Sequence, residues 1–213
     1  RSIAKRYKSV KYSLGLAILF LMMGVSAFSE EVVAQEAVAQ QEVMTTEQIA
    51  SSKENLKNSV GSLQSKIDSA RAENENTLVL DNGDTIQGNY NHLFLTEEYL
   101  NSNINPMVLA LTEIGYDAMT LGNHEFNYGM NILDIIKNQL EAGGTNVLCA
   151  NLYKDGERVF DPYIIKEYDG IRVAVIGVVT NHITKWDADK LVGYTPTNPA
   201  LEVQKVIKEI KDK

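Results

Sequence analysis

The spacing of hydrophobic positions changes twice along the chain. From Leu14 to Phe28 they form a nearly unbroken run of 15 residues. Ile49, Leu56, Val60, Leu63, Ile67 and Ala70 then recur at spacings of seven, four, three, four and three, which predicts one apolar stripe on a helix. From Thr77 onward, short apolar runs alternate with amphipathic stretches of helical length. That alternation predicts an α/β domain with buried strands.

The local signals within the alternating part are specific. Thr77 to Asp81 reads as a strand and 106–114 as a helix, with Asn105 as its cap, Pro106 at its first position and Gly115 as its stop. Ala118 to Leu121 reads as the next strand. Met130 to Leu140 follows as a helix with Ile132, Leu133, Ile136 and Leu140 on one face, ended by Gly143-Gly144. Asn146 to Ala150 reads as a third buried strand. Val159 to Tyr168 and Ile171 to Val179 read as a hairpin around Asp169-Gly170. Asn198-Pro199 opens a last helix, for which Leu201, Val203, Val206, Ile207 and Ile210 are available as the buried side. The sequence stops at Lys213 straight after that helix, where an α/β domain normally adds a covering strand, so the ending reads as premature.

Charge refines the reading of the beginning. Arg1, Lys5, Arg6, Lys8 and Lys11 precede the apolar run with no acidic residue among them, and Val25-Ser26-Ala27 supplies small residues at its end. A bilayer span needs about 20 residues, so the run reads as a secretory signal over 1–27 rather than a permanent anchor. The implied destination is the periplasm, cell envelope or extracellular space, with transient membrane contact through the signal. Residues 28–75 follow as an acidic spacer and an amphipathic, coiled-coil-like helix, and 76–213 as the α/β domain. Thr45-Thr46-Glu47-Gln48 offers a capping box at the helix start. The stripe suits packing on the next domain, and its heptad spacing also allows self-association through 49–70.

Without residues 1–27 the chain keeps 15 basic against 28 acidic residues. This balance excludes binding to a nucleic-acid duplex, which needs Lys and Arg to neutralise phosphates. A phosphate-bearing substrate would need metal ions to offset its charge. Cys149 is the sole cysteine, so no intrachain disulfide forms; its apolar surroundings make it a small core residue.

Candidate chemistry is concentrated in two polar pieces at strand ends. Asp81-Asn82-Gly83-Asp84 follows Thr77 to Leu80, and Gly122-Asn123-His124-Glu125 follows Ala118 to Leu121. In open α/β sheets, ligands bind at the carboxyl ends of strands. A glycine in each piece allows a sharp turn and close backbone approach. Carboxylate, amide oxygen and imidazole together suit divalent metals of the zinc, manganese or iron kind.

These residues carry a family resemblance. Asp81-Asn82-Gly83-Asp84-Thr85-Ile86-Gln87-Gly88 and Gly122-Asn123-His124-Glu125-Phe126-Asn127-Tyr128-Gly129 resemble the Gly-Asp and Gly-Asn-His-Glu motifs of the calcineurin-like metallophosphoesterases. Within them the chain is similar to the secreted 5'-nucleotidase and 2',3'-cyclic-nucleotide 2'-phosphodiesterase/3'-nucleotidase group, from about Leu63 to the end. Asn127 favours the cyclic-phosphodiesterase branch, because the 5'-nucleotidase branch usually has Asp there. Val178-Val179-Thr180 and Ile183-Thr184-Lys185-Trp186-Asp187 resemble a segment of the same branch.

The resemblance implies a metallophosphoesterase sandwich of sheets flanked by helices, two divalent metal ions (Zn, Mn or Fe) and a nucleotide substrate. Asp84 would bridge the two ions, Asn123 would bind the second, and His124 would meet the transferred phosphoryl group. Glu125 reads equally as a hydrogen-bonding support for the loop and as a direct participant. His92 and His182 read as loop histidines, and Trp186 as a half-buried aromatic packing on the core.

The family's site also uses an Asp-x-His, a later lone His and a Gly-His-x-His. None is present, since the chain has only His92, His124 and His182. The resemblance therefore implies a partial metal domain, truncated or rearranged, with low or no hydrolysis of its own. Two other functions stay open: a plain 5'-nucleotidase, and a non-enzymatic surface protein assembling through its N-terminal helix.

Overall fold

The computed structural model describes residues 18–20, 46–88 and 91–213. In chain order these form β1 (Ile18–Phe20), α1 (Thr46–Glu73), β2 (Leu78–Asp81), α2 (Glu97–Leu100), α3 (Pro106–Ile114), β3 (Ala118–Thr120), α4 (Met130–Ala142) and β4 (Asn146–Leu148). There follow β5 (Leu152–Lys154), β6 (Glu157–Arg158), β7 (Tyr163–Tyr168), β8 (Ile171–Ile176), α5 (Ile183–Trp186), β9 (Tyr194–Pro196) and α6 (Pro199–Lys211).

A parallel sheet of order β1-β2-β3-β4 organises the fold. Its strands are short and apolar because they are covered by helices on their faces. Asp81 pairs with Met119 and Leu80 with Ala118, so the ends of β2 and β3 lie side by side. β1 lies within the run read as an export signal and pairs with Leu78 to Leu80; the rest of that run, most of the spacer and Thr45 lie outside the described residues.

The helices form where the local chemistry directs them. The Asn105 side chain accepts from the N–H groups of Met107 and Val108, and Gly115 ends α3 in the left-handed conformation at φ 78°. Val108, Leu111 and Ile114 of α3 and Leu133, Ile136 and Leu140 of α4 share one apolar core with Val79, Met119 and Val147 of the sheet. Each such buried side chain contributes about 1.5–3 kcal/mol.

Helix α1 adds Leu63 and Ile67 to that core, with Val60 packed against it, so this part of the stripe packs on the following elements; the Ile49 and Leu56 side chains lie outside the described ones. Arg71 fixes it there by donating to the Ile114 and Gly115 carbonyls at 2.7 and 2.6 Å. These are groups that the end of α3 would otherwise leave short of partners.

β7 and β8 form the expected hairpin. Asp169 and Gly170 have φ of 50° and 80°, the pair of positive angles that a tight two-residue turn requires. A small sheet of order β6-β5-β9 was not foreseen; β5 pairs with residues about 40 positions away through Leu152 and Pro196.

The last helix corrects one expectation. Leu201 and Ile207 of α6 point outward, 59% and 41% exposed, while Glu202 and Val206 are buried. The reason is Arg158, whose guanidinium donates to Glu202 and Glu209 at 2.8 Å and draws the acidic side of the helix inward. The Tyr153 hydroxyl donates to the same Glu202 carboxylate, and Lys205 also donates to it. Burial pushes the Glu202 carboxyl up, but these donors and Thr197 outweigh it and hold it at about 2.

Candidate functional site

Where β2 and β3 end, their following loops touch. A Cβ on Gly83 would stand 2.1 Å from the Gly122 nitrogen, and a Cβ on Gly122 would stand 2.2 Å from Asp84 Oδ1. No side chain fits at either position. Asp84 itself has φ of 59°, a left-handed conformation uncommon outside glycine.

Glu125 holds both loops in this arrangement. Its side chain is fully buried, and its carboxylate accepts from the N–H groups of Asp84 and Thr85 at 2.8 Å and of Gly122 at 2.7 Å. Burial pushes its carboxyl up; the N–H groups of Asp84, Thr85 and Gly122 act against that, and the neighbouring Asp84 charge adds to it. Of the two readings open for Glu125, the geometry is that of the loop support. Asp81 does similar work beneath, accepting from Gly83 N at 2.8 Å and from the Thr85 hydroxyl at 2.7 Å. Burial raises its carboxyl too, with Thr85 and Gly83 opposing and Asp84 adding.

Asp84, Asn123 and His124 come together at this junction. Asp84 Oδ1 accepts from the His124 main-chain N–H at 2.9 Å. The Asn123 side chain makes no capping bond to the short 3₁₀ turn that His124 opens. Asp84 is exposed and Asn123 half-buried.

The His124 ring is held from behind. Its Nδ1 lies 2.7 Å from Asn127 Oδ1. Asn127 Nδ2 donates to Asp187 at 3.0 and 3.2 Å, and Lys190 donates to Asp187 Oδ1 at 2.9 Å. Asp187 is 2% exposed. Sequence reasoning missed this chain of contacts. Asn127 and Asp187 were both noticed for their resemblance to one family branch, but no spacing rule links side chains 60 positions apart.

The remaining candidates stand as follows. His92 is exposed in the 3₁₀ turn Asn91–Phe94. His182 is also exposed and meets the Trp186 ring edge to face. Trp186 departs from expectation: it is 58% exposed rather than packed on the core. The four-residue helix α5 turns Ile183 inward, which leaves its Trp186 end toward solvent. Cys149 is fully buried as expected, and burial pushes its thiol up to about 12.

Asp84 and Asn123 are donors of the type divalent ions take, and they fit part of a metal site. Among the described residues no group of three or more His, Cys, Asp or Glu stands together to hold an ion. A catalytic ion usually has three protein ligands, so the pair does not complete a shell.

The sequence model of the calcineurin-like phosphoesterases matches residues 57–213. The chain is 36% identical over 163 residues to a 2',3'-cyclic-nucleotide 2'-phosphodiesterase/3'-nucleotidase of Haemophilus influenzae, covering 70% of this chain and 24% of that protein. It is 35% identical over 147 residues to a 5'-nucleotidase of Vibrio parahaemolyticus, covering 68% and 24%. The crystal structure of the calcineurin-like phosphoesterase YfkN from Bacillus subtilis superposes with a TM-score of 0.62 at 30% identity, covering 70% of this chain and 48% of that one. The chain thus spans about a quarter of the length of the curated relatives it matches.

Proposed function

The chain belongs to the calcineurin-like phosphoesterase family, and we propose that its site handles nucleotide phosphoesters, namely 2',3'-cyclic nucleotides and 3'-nucleotides, after export from the cytoplasm. The observation that carries this is the junction of Asp84, Asn123 and His124 at the ends of two parallel strands, braced by a buried Glu125. The relatives named as nucleotidases and cyclic-nucleotide phosphodiesterases support the nucleotide class. For export, the support is the basic and apolar beginning of the sequence, read as retained because its Ile18–Phe20 forms β1 of the sheet. Among the described residues no helix is long and apolar enough to cross a membrane.

Members of this family generally use two divalent metal ions. In this reading Asp84 would offer its carboxylate and Asn123 its amide oxygen to such ions. Bound ions of this kind polarise a phosphoryl oxygen and lower the pKa of a water that attacks phosphorus. His124 would meet the phosphoryl group through Nε2, the nitrogen that can take up a proton and pass it to the leaving alkoxide. The hydrogen bond from the His124 main-chain N–H to Asp84 Oδ1 ties the two loops together, and the ring is held at Nδ1 by Asn127 Oδ1. Such fixed placement is how a site reduces reorganisation during the reaction.

With Asp84 and Asn123 as the ligands it supplies, the chain alone is assigned low turnover. The 5'-nucleotidase reading is kept because the Vibrio relative bears that name. Purified chain with Mn²⁺ is to be assayed on 2',3'-cyclic AMP, 3'-AMP and 5'-AMP. Slow hydrolysis of the first two that is lost in His124→Ala is the expected result. Preference for 5'-AMP overturns the substrate class, and absence of both hydrolysis and Asp84-dependent Mn²⁺ binding overturns the phosphoesterase reading.

A further inference from the structure

We propose that Asp187 is a positioning residue for His124: acting through the Asn127 amide, it keeps the imidazole proton on Nδ1 and leaves Nε2 open toward the substrate. The proposal rests on the reading of His124 as the group that meets the phosphoryl.

The direction of every bond in this chain follows from which atoms can donate. Asp187 receives the Lys190 ammonium at 2.9 Å on Oδ1. An ionised carboxylate only accepts, so the group Asn127 turns toward it must be the NH₂, and Nδ2 lies 3.0 and 3.2 Å from its two oxygens. The Asn127 carbonyl oxygen is then left facing the ring, 2.7 Å from His124 Nδ1. That oxygen also only accepts. The hydrogen between them therefore belongs to Nδ1, and in the neutral ring the lone pair is on Nε2.

The anchor is rigid and dry. Asp187 is 2% exposed, so water does not compete for its oxygens. Its main chain is tied on both sides, its N–H donating to the Ile183 carbonyl and its own carbonyl accepting from the N–H groups of Lys190 and Leu191. An amide rotates by half a turn at little cost unless its two ends face different partners. Without Asp187, Asn127 can present its NH₂ to Nδ1, which moves the proton to Nε2 and occupies the position that faces substrate.

Imidazole nitrogen resonances report this directly. The full chain, labelled with ¹⁵N and free of metal, is observed by long-range ¹H–¹⁵N correlation at a pH where the ring is neutral, with His124→Gln identifying the His124 signals. The wild type is expected to carry its proton on Nδ1. Asp187→Ala is expected to move the Nδ1-to-Nε2 tautomer ratio at least tenfold toward Nε2. The exchange variant Asn127→Asp with Asp187→Asn keeps an acceptor against the ring and an NH₂ donor behind it, and is expected to restore Nδ1–H. A wild-type ring protonated on Nε2, or a folded Asp187→Ala with the wild-type ratio, overturns the proposal. Should Asp187→Ala not fold, the exchange variant decides alone: retention of Nδ1–H supports the relay and its loss overturns it. Hydrolysis of 2',3'-cyclic AMP with Mn²⁺ separates the two ideas, since an inactive wild type counts against the functional reading and leaves the tautomer result standing.

Discussion

The Asp84 carboxylate accepts a hydrogen bond from the His124 main-chain N–H at 2.9 Å, across 40 positions of sequence. Two loops that leave adjacent parallel strands are thereby fastened at their tips. The closeness depends on glycine, because Gly83 and Gly122 approach the opposite loop within distances no Cβ tolerates.

Gly122→Ala is expected to push Asp84 away, since the new Cβ would lie 2.2 Å from Oδ1. Overpacking of this kind costs about 1–3 kcal/mol. Urea denaturation is expected to show that loss, and Mn²⁺ affinity to fall at least tenfold. Unchanged values for both would mean that the loops do not meet as described.

Glu125→Gln replaces an all-acceptor carboxylate with a side chain whose NH₂ must face main-chain N–H groups. The donors lost or opposed are those of Asp84, Thr85 and Gly122. Hydrogen bonds to charged groups contribute about 1.5–3 kcal/mol each, so destabilisation on the order of 3 kcal/mol is expected in chemical denaturation. A variant as stable as the wild type would remove Glu125 from its bracing role.

Arg71→Ala tests the docking of α1. Two charge-assisted bonds to the end of α3 are lost, at Ile114 and Gly115, while Leu63 and Ile67 stay available for packing. A loss of about 1–2 kcal/mol is expected, with no change in sedimentation behaviour. A shift to a higher oligomer would instead point to the heptad stripe as an assembly surface.

Acid weakens the anchorage of α6. The Glu202 carboxyl is held at about 2 in the folded chain, below its usual 4.5. A lowered carboxyl stabilises fully above the unfolded value and loses that stabilisation as pH falls through the folded one. Stability is therefore expected to decline between about pH 4.5 and 2. Glu202→Gln should flatten that part of the profile and cost about 3 kcal/mol at neutral pH, the lower end for breaking a buried pair, because Arg158 keeps Glu209. Equal acid profiles for the two proteins would contradict the assignment.

What could be read from the sequence was what local chemistry decides. Asn105, Pro106 and Gly115 delimit α3 because caps and stops act within a few residues, and Asp169-Gly170 marks its turn because positive φ is demanded on the spot. The nearness of the Asp84 and His124 loops was legible as two glycine-bearing polar pieces at strand ends. The small β6-β5-β9 sheet was not: its strands are two or three residues long, the local β5–β6 turn at Asp155-Gly156 went unread, and β9 joins β5 from about 40 positions away. Glu202 was invisible as a core residue because a charged side chain turns inward only when a distant partner such as Arg158 meets it. The Asn127 and Asp187 contact escaped for the same reason.

The central claim is that Asp84 and Asn123 together offer a place for a divalent ion beside His124. Titration of metal-free full chain with Mn²⁺, followed by calorimetry or by the loss of the free-ion electron paramagnetic resonance signal, tests it most directly. Stoichiometric binding that weakens at least tenfold in Asp84→Asn, with His124→Ala retaining it, is the expected result. Equal binding by wild type and Asp84→Asn, or none by either, would contradict it.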